Sequence, residues 1–471
     1  MSGYDSYAVV ILEASRVNRL GSHEIEDLID YFEPDGVVLI RGDAPAFTVE
    51  QVRYELEHLI PDGVELHAID ETDSRTITTD AGTVLIAPYE LSTQQVESYL
   101  PEDGSHTYVL TEAVNVEMDM IALTASVEGL DPYRGHDSPL TVFSGQLASD
   151  YWVEHDGVDL RGLGVVEQGN VKIPCFSLGS DGVVTVNSLA EGKLGIRALS
   201  GMGETYAARF RQAGYETVED IYEAEMVDLL RVKGVGDHRA EQFTKQSTAL
   251  IEGEVVRFTD DESLPQDVVH IDIETDGLNP SIIWQIGVYD PRADETHAFV
   301  QKDPTEKGEI LREFGAWLRN SLSGRAVVAY NGWKFDFPHL TEFFVQHAPE
   351  YSQTWESTYK VDPYDWVVRE GHAAFPSRGN SIEDVAEALG YEREHTGLDG
   401  ATTAHAYQRW MQNPCDETEL DWDRHTTYCR EDVLALHHVY QALLDSGRVL
   451  AEQNTDRPTD ENTQQGTLFD Y

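Results

Sequence analysis

The 471-residue sequence predicts a multidomain α/β protein in which a small all-helical domain separates two α/β domains. Three observations lead to this fold class. Apolar runs alternate with amphipathic segments over residues 1–187 and again over residues 266–449, as is typical of α/β layers. Between them, residues 188–252 contain a glycine-rich helical unit that occurs twice. A chain of this length is also too long for a single hydrophobic core.

The composition is strongly acidic but not that of a disordered chain. Asp and Glu number 86 against 33 Lys and Arg, the net charge is −53, and 41% of the residues are hydrophobic. This apolar content is enough to build packed cores. An acidic surface with few basic residues predicts a halophilic source, because concentrated salt screens the self-repulsion. Any contact with nucleic acid is expected to be local, metal-assisted or made by the backbone.

The cysteines and the chain termini exclude several classes of protein. Cys175, Cys415 and Cys429 are too widely spaced for a disulfide framework or a zinc motif. The N-terminal residues lack the basic flank and long apolar core of a signal peptide, and no stretch reaches membrane-spanning length. We therefore expect a cytoplasmic protein.

Residues 1–187 are predicted to form an α/β domain that becomes richer in strands toward its end. The predicted strands and helices are, in order, YAVVILE, SHEIEDLIDYF, GVVLIRG, TVEQVRYELEHLI, GTVLIAP, HTYVL, LTVFSGQL, GVDLRGLGVV and GVVTVN. Gly42 and Asp43 after the second strand are predicted to form a turn rather than part of a metal site. The sequence indicates no active site and no role for this domain.

The repeat in residues 188–252 predicts a phosphate-binding module. ALSGMGETYAARFRQAG is matched by RVKGVGDHRAEQFTKQS, and the equivalent glycines Gly201 and Gly234 are 33 residues apart (234 − 201). In each copy Gly-hydrophobic-Gly precedes an amphipathic helix. Glycines at such a turn let the backbone approach a ligand, and the helix N-terminus that follows favours anions.

This unit resembles the tandem helix-hairpin-helix domain of DNA repair and replication proteins. The resemblance implies DNA binding without base specificity. The residues that it points to are Gly201, Gly203, Lys233, Gly234, Gly236 and Arg239. Arg209 and Arg211 in the first copy are expected to add positive charge. The alternative, that these turns only join helices in a module for protein packing, stays open.

A polar linker, residues 253–265, leads into the stretch HIDIETDGL, which predicts half of a metal site. Asp272 and Glu274 are two apart in a strand, so their side chains share one face. Two adjacent carboxylates repel each other unless a cation lies between them. IIWQIGVYD and ETHAFVQ are predicted to continue an antiparallel sheet, and after a helix RAVVAYN adds a strand ending at Asn331.

Further carboxylates follow in the same half of the chain. Asp336 is predicted to open the aromatic-rich helix of GWKFDFPHLTEFF. In YCREDVLALHHVY, Tyr428 and Asp432 are four residues apart, which places both side chains on one helical face. Between these motifs YKVDPYDWV is predicted to be a strand and SIEDVAEALGY a helix. Asp362 and Asp365 are expected to be turn or surface residues.

Together these motifs resemble the DEDD exonuclease superfamily, which has a ribonuclease H-like fold with a mixed sheet and includes the proofreading domains of DNA polymerases. Tyr428-x-x-x-Asp432 matches the tyrosine branch, called DEDDy, whereas Thr427 occupies the position of the histidine that defines the other branch. His425 is a candidate substitute base, but we expect it on the surface or behind the site.

The resemblance implies a chemistry and a set of site residues. Two Mg²⁺ or Mn²⁺ ions, ~3.5–4 Å apart, would activate the attacking water and stabilise the leaving 3′ oxygen. Their ligands would be Asp272, Glu274, Asp336 and Asp432, with Tyr428 orienting the water. The terminal nucleotide would be held by Thr275, Leu278, Asn331 and Trp333. Trp333 and Phe337 are candidates for stacking on bases, although core packing is an equal alternative for Phe337.

The polar tail, residues 450–471, is predicted to be disordered but ends in apolar side chains. Gln465, Leu468 and Tyr471 resemble the motif by which archaeal replication proteins bind the sliding clamp, PCNA. Such motifs order only on binding. This sequence departs from the usual pattern because the second aromatic position would fall beyond Tyr471.

The expected function is a metal-dependent 3′-to-5′ exonuclease that acts on DNA in replication or repair and releases nucleoside 5′-monophosphates. An RNA exonuclease with the same site is the nearest competing function, because the metal motifs do not read the 2′-hydroxyl. Two more distant functions stay open as well, a structure-specific DNA endonuclease and a non-enzymatic DNA or clamp adaptor.

Overall fold

A computed structural model describes residues 5–17, 19–69, 73–119, 124–166, 171–258, 264–322 and 324–455. These residues form an N-terminal α/β domain, a small helical domain and a C-terminal α/β domain with a mixed sheet, which confirms the predicted fold class. Within the described ranges no helix is both long and apolar enough to cross a bilayer.

The N-terminal domain contains the strands and helices that the sequence predicts, with further strands between them. Its elements are β1 (Ser6–Glu13), α1 (Ala14–Val17), α2 (Ser22–Phe32), β2 (Gly36–Ile40), α3 (Ala46–Leu59), β3 (Glu65–Ala68), β4 (Arg75–Thr79), β5 (Gly82–Ala87), α4 (Thr93–Tyr99), β6 (Thr107–Thr111), β7 (Asn115–Asp119), β8 (Thr124–Glu128), β9 (Leu140–Ala148), β10 (Trp152–His155), β11 (Val158–Gly164), β12 (Lys172–Gly179) and β13 (Val184–Ala190).

Two sheets pack face to face in this domain. One has the order β13-β12-β1-β2-β3, and the other has the order β10-β11-β9-β6-β5-β4. Val9 and Ile11 of β1 pack with Phe143 of β9 in the core between them, while α2 and α3 cover the outer face of the first sheet. The predicted turn at Gly42 is confirmed: its φ is +55°, and its N–H donates to the Glu112 carboxylate at 3.3 Å.

The helical domain comprises α5 (Glu204–Gln212), α6 (Val218–Glu223), α7 (Met226–Leu229) and α8 (Asp237–Glu252). The two copies of the repeat place Phe210 and Phe243 at equivalent positions, and their rings meet edge to face with centroids 5.6 Å apart. Both rings are fully buried, so the repeat folds around one shared core rather than two.

The C-terminal domain is built on a five-stranded sheet with the order β17-β16-β15-β18-β19. Its elements are β14 (Val256–Arg257), β15 (Val268–Thr275), β16 (Ile283–Asp290), β17 (Glu295–Val300), α9 (Glu309–Ser321), β18 (Ala326–Val328), α10 (Asp336–His347), α11 (Ser352–Glu356), β19 (Lys360–Val361), β20 (Ala373–Ala374), α12 (Ile382–Ala388), α13 (Gly400–Gln412) and α14 (Trp422–Thr455). The short strands β14 and β20 form a separate two-stranded sheet. β15 pairs antiparallel with β16 and parallel with β18, so the sheet is mixed.

The predicted strand YKVDPYDWV is mostly wrong. Only Lys360–Val361 form a strand, and Asp365–Arg369 form a π-helical turn. The physical reason is Asp362, whose carboxylate accepts a hydrogen bond from the Asp365 backbone N–H at 3.2 Å and so caps the turn. The apolar residues after the cap, Trp366 and Val367, are buried by the turn instead of by a strand.

Candidate metal centre and nucleic-acid interface

Strand β15 carries the first two candidate ligands on the face that α14 covers. Val269, Ile271 and Ile273 lie in the core on the side of α9 and α10. Because strand side chains alternate, Asp272 and Glu274 point to the opposite face. The prediction that they share one face is confirmed.

A glycine in the neighbouring strand brings α14 close to these carboxylates. Gly287 of β16 is the partner of Asp272 in the sheet register. A Cβ on Gly287 would lie 2.6 Å from the Cys429 Sγ, so only glycine lets α14 pack here without displacement. The fully buried Cys429 thiol lies 3.7 Å from Asp272 Oδ2.

Helix α14 supplies Tyr428 and Asp432, both at least 93% buried. Burial raises the pKa of Tyr428 well above its ordinary value, and the nearby Asp432 and Glu274 carboxylates raise it further. Burial also raises the pKa of Asp432, although Arg393 opposes the shift. The phenol therefore stays protonated at neutral pH and presents a hydrogen-bond donor to the site.

Asp336 completes the set as the first residue of α10, as the sequence predicts. Its carboxylate is 5% exposed. Burial raises its pKa to about 7, with repulsion from Asp362 and Asp432 adding to the effect and backbone hydrogen bonds, including one from Ile273, opposing it. Asp336 and Asp432 thus lie near enough to Asp272 and Glu274 to interact electrostatically with them, while the ligand atoms that lie within 4.8 Å of one another are those of Asp272, Glu274 and Cys429.

The donor set fits divalent cations with hard character. Burial and mutual repulsion raise the pKa of Asp272 and Glu274 well above their ordinary values, so the four carboxylates are not all ionised unless a cation lies among them. Ligand atoms of Asp272, Glu274 and Cys429 lie within 4.8 Å of one another. Burial also raises the pKa of the Cys429 thiol, so the thiol stays protonated and is not a ligand. The carboxylate oxygens are then the available ligands, and Mg²⁺ and Mn²⁺ prefer oxygen.

Two residues that the sequence analysis missed also face this site. Arg393 Nη2 donates to Asp432 Oδ1 at 2.5 Å, and Arg393 Nη1 lies 3.6 Å from Glu383 Oε1. Glu383 is a fifth carboxylate whose charge raises the pKa of Asp272 and Glu274. Neither belongs to a motif with fixed spacing, and a lone Arg between two motifs offers no signal in a single sequence.

Asp362 was expected to be a turn or surface residue, and it lies at a turn but not at the surface. It is only 3% exposed, and its carboxylate accepts hydrogen bonds from the backbone N–H groups of Asn331 at 2.9 Å and Trp333 at 3.1 Å. Asn331 adopts a φ of +54°, which a non-glycine residue rarely does. Asp362 therefore holds the loop that precedes Asp336 in a strained conformation.

The predicted nucleotide-binding residues differ in accessibility. Leu278 is 85% exposed and Trp333 is 51% exposed, so both present apolar surface to solvent. Thr275 is buried, and its hydroxyl donates to the Gly277 carbonyl at 2.9 Å. The Asn331 side-chain oxygen accepts from Arg369 at 3.1 Å. Only the first two are placed to meet a ligand without rearrangement.

Two aromatic side chains belong to the protein interior. Phe337 is 2% exposed and lies in the core, which decides between stacking and core packing for it. His425 is 4% exposed and packs edge to face on Trp284, with ring centroids 5.8 Å apart. Of the two positions expected for His425, the surface one is wrong because the side chain is buried.

Three of the four glycines in the turns of the helical domain are open, whereas a Cβ built on the fourth, Gly234, would lie 2.7 Å from Arg209 Nη1. Gly201 and Gly234 have φ of +83° and +87°, and Gly203 and Gly236 are the N-caps of α5 and α8. Apart from chain neighbours, no described heavy atom lies within 4 Å of a Cβ built on Gly201, Gly203 or Gly236. These backbones can therefore be approached closely by a ligand.

Some basic residues of this domain lie at the hairpin turns, whereas Arg211 contacts the N-terminal domain. Lys233 is exposed in the second turn. Arg209 Nη1 donates to the Lys233 carbonyl at 2.9 Å, and the Arg239 guanidinium lies 4.4 Å from the Tyr206 ring. Arg211 instead pairs with Glu24 of the N-terminal domain at 2.7 Å, so the expectation that it adds charge to the hairpins is wrong.

The clamp motif predicted at Gln465, Leu468 and Tyr471 lies outside the described residues.

Comparisons with known proteins place two of the domains. Residues 269–444 match the RNase_H superfamily, and residues 195–245 match the SAM-like helix-hairpin-helix tandem. The chain therefore contains an RNase H-like domain and a tandem helix-hairpin-helix domain.

The individual proteins that the chain resembles are matched only in part. ATP-dependent DNA helicase Hel308 of Caldivirga maquilingensis is 35% identical over 63 residues, which is 13% of this chain and 8% of the helicase. Product-bound exonuclease I is 18% identical, with a TM-score of 0.22 over 30% of this chain and 43% of that chain. E. coli exonuclease I in complex with single-stranded DNA is also 18% identical, with a TM-score of 0.21 over 31% of this chain and 41% of that chain. The chain spans less than half of each of these proteins, and none is a guide to its activity as a whole.

Proposed function

We propose that this chain is a metal-dependent 3′-to-5′ exonuclease that acts on DNA and releases nucleoside 5′-monophosphates. The observation that supports the proposal is the convergence of four carboxylates with Tyr428 in an RNase H-like domain. Divalent cations held by these carboxylates would activate the attacking water and stabilise the leaving 3′ oxygen.

The chain's own residues have separate parts in this reaction. Asp272, Glu274, Asp336 and Asp432 would hold the cations. Tyr428, which is buried beside Asp432 and Glu274, would orient the attacking water by hydrogen bonding. Exposed Leu278 and Trp333 contact the terminal nucleotide, with the Trp333 ring available for stacking on a base.

DNA is favoured over RNA because the tandem helix-hairpin-helix domain resembles that of DNA repair and replication proteins. Its open glycine turns offer backbone N–H groups to phosphates. A chain with a net charge of −53 cannot rely on a broad basic surface, so this local mode of contact suits it. We place the protein in DNA replication or repair, in an organism with a salt-rich cytoplasm.

A digestion panel tests the activity. Single- and double-stranded DNA and RNA, labelled at either end, are incubated with the protein in high salt and Mg²⁺ or Mn²⁺. We expect mononucleotides from the 3′ end of DNA. Preferential digestion of RNA would select an RNA exonuclease, and cleavage at flaps or junctions would select an endonuclease. DNA binding without cleavage under every condition would leave a non-enzymatic adaptor.

The helix-hairpin-helix contact has a defined salt signature. Replacing Lys233 by alanine should weaken DNA binding equally for all sequences and reduce the slope of log affinity against log salt by about 1. Fluorescence anisotropy over a salt series measures both quantities. Lys172→Ala, at an exposed lysine in β12, is the matched control and should leave the slope unchanged. An unchanged slope in the Lys233 variant would exclude this phosphate contact.

The tail is proposed to bind the sliding clamp. Removing residues 464–471 should abolish capture of the chain on immobilised PCNA from a haloarchaeon, because Gln465, Leu468 and Tyr471 are lost together. Replacing Leu468 and Tyr471 by alanine should have the same effect, whereas Asn462→Ala should not. Undiminished capture of the truncated chain would refute the clamp motif.

A further inference from the structure

The active site is bordered by two segments that lie outside the sheet and its motifs. The first, residues 377–384, ends in the first turn of α12 and supplies Glu383. The second, residues 393–399, begins with Arg393 and ends at the N-cap of α13. Both segments and Tyr428 line one cavity of about 160 Å³. Arg393 connects them, because it contacts Glu383 of the first segment and Asp432 of the site.

The N-terminal domain holds the first segment through helix α2. The Tyr31 hydroxyl donates to Asp384 Oδ1 at 2.6 Å, and Asp27 forms an ion pair with Arg378. Both partners of that ion pair are at least 81% buried. Asp384 is the residue next to Glu383, so the hydrogen bond from Tyr31 acts within one residue of the carboxylate that faces the site.

The first segment is also bonded to the loop that leads to Asp336. The Tyr330 hydroxyl donates to the Asn380 carbonyl at 2.9 Å, and Tyr330 directly precedes Asn331. A displacement of this segment would therefore reach the site by two routes, one through Glu383 and the other through the loop before Asp336.

The N-terminal domain holds the second segment from its other side. Arg424 Nε donates to the Thr396 carbonyl at 2.7 Å, while Arg424 Nη1 pairs with Asp181 of the N-terminal domain at 2.5 Å. The backbone N–H of Val186 in β13 donates to Asp399 Oδ2 at 3.0 Å. One domain thus contacts both segments that Arg393 connects.

We propose that the N-terminal domain is a positioning element of the nuclease site, in which Tyr31 and Asp181 hold the two segments that set Arg393 against Asp432. This inference rests on the proposed function for its effect on turnover, but not for its effect on cation binding. The Arg393 guanidinium competes with any cation for Asp432. When the two segments are loosened, Arg393 contacts Asp432 less of the time, so a cation binds more readily. Turnover falls because Glu383 and the loop before Asp336 are no longer held in place.

The test is a comparison of cation binding and turnover in variants that remove single contacts. Tyr31→Phe deletes one hydroxyl, and Asp181→Asn deletes one charge, so both proteins should keep their fold and melting temperature. We expect each to lower the Mn²⁺ dissociation constant about fivefold in calorimetry without DNA, and to lower kcat on single-stranded DNA about fivefold. Tyr54→Phe and Asp62→Asn, both exposed in the same domain, should change neither.

A double variant tests whether Tyr31 acts through Arg393, with Tyr31→Phe compared in the parent and in an Arg393→Gln protein. Arg393→Gln should itself strengthen Mn²⁺ binding, and Tyr31→Phe should then add clearly less than it does in the parent, because the route through Glu383 and the Arg393 guanidinium is already removed and only the route through the loop before Asp336 is left. Independent effects of the two substitutions, or weaker Mn²⁺ binding in the Tyr31 and Asp181 variants, would overturn the inference. Mn²⁺ binding is measured without turnover, so an enzyme that proves inactive on every nucleic acid would refute the proposed function and leave this test intact.

Discussion

Replacing Asp272 by asparagine should lower kcat/KM on single-stranded DNA by about 10³-fold or more in Mg²⁺ or Mn²⁺. Asparagine keeps the shape of the side chain but removes its charge, so the cations would lose a ligand that lies within 4.8 Å of Glu274 and of Cys429 in α14. Initial rates of mononucleotide release in high salt measure the effect.

A surface carboxylate serves as the control for this substitution. Asp416 is exposed in the turn after α13, and Asp416→Asn changes the net charge by the same amount as Asp272→Asn. It should leave kcat/KM within about twofold of the parent. Nuclease activity that survives Asp272→Asn with either cation would contradict the assignment of these carboxylates as the metal centre.

The metal-free protein should lose stability as the pH rises from about 4 to about 7. The pKa of Asp336 is raised from 3.8 in the unfolded chain to about 7 in the fold, so in this window the folded state holds a proton that the unfolded state releases. The free energy of unfolding therefore falls with rising pH, and this contribution is fully lost above the folded pKa. Thermal melts in a chelator across this pH range measure the decrease.

Divalent cations should reverse the loss most strongly at alkaline pH. A bound cation replaces the proton among the carboxylates, so Mn²⁺ should raise the melting temperature more at pH 8 than at pH 5.5. Asp336→Asn, which mimics the protonated acid, should be more stable than the parent in chelator at pH 8 and respond little to Mn²⁺. A response to Mn²⁺ equal to that of Asp416→Asn would exclude Asp336 as a ligand.

Much of the C-terminal domain could be predicted because its motifs lie within single elements. The period of two in β15 sets Asp272 and Glu274 on one face, and the four-residue spacing in α14 does the same for Tyr428 and Asp432. The start of α10 at Asp336 also follows from the sequence. The strand predicted around Asp362 failed because a side-chain cap overrode the apolar pattern there.

The remaining site residues could not be predicted because they act across long separations in the chain. Arg393 reaches Asp432 from 39 residues away, and Tyr31 reaches Asp384 from 353 residues away. The position of Cys429 beside Asp272 could not be predicted either, because it depends on Gly287 of β16, which leaves room for the Cys429 side chain. Arg211 was expected to serve the hairpins, but Glu24, 187 residues away, draws it to the N-terminal domain.

Local patterns in the chain are enough to predict which side chains are available for metal and phosphate chemistry, since strand alternation, helical spacing and glycine turns are local properties of the backbone. The tertiary structure alone decided what surrounds them: that the carboxylates are buried enough to retain protons, that Arg393 lies against Asp432, and that the N-terminal domain contacts both segments at the rim of the site. The physical reason is that burial and ion pairing depend on which elements pack together, and no local period of the chain encodes that.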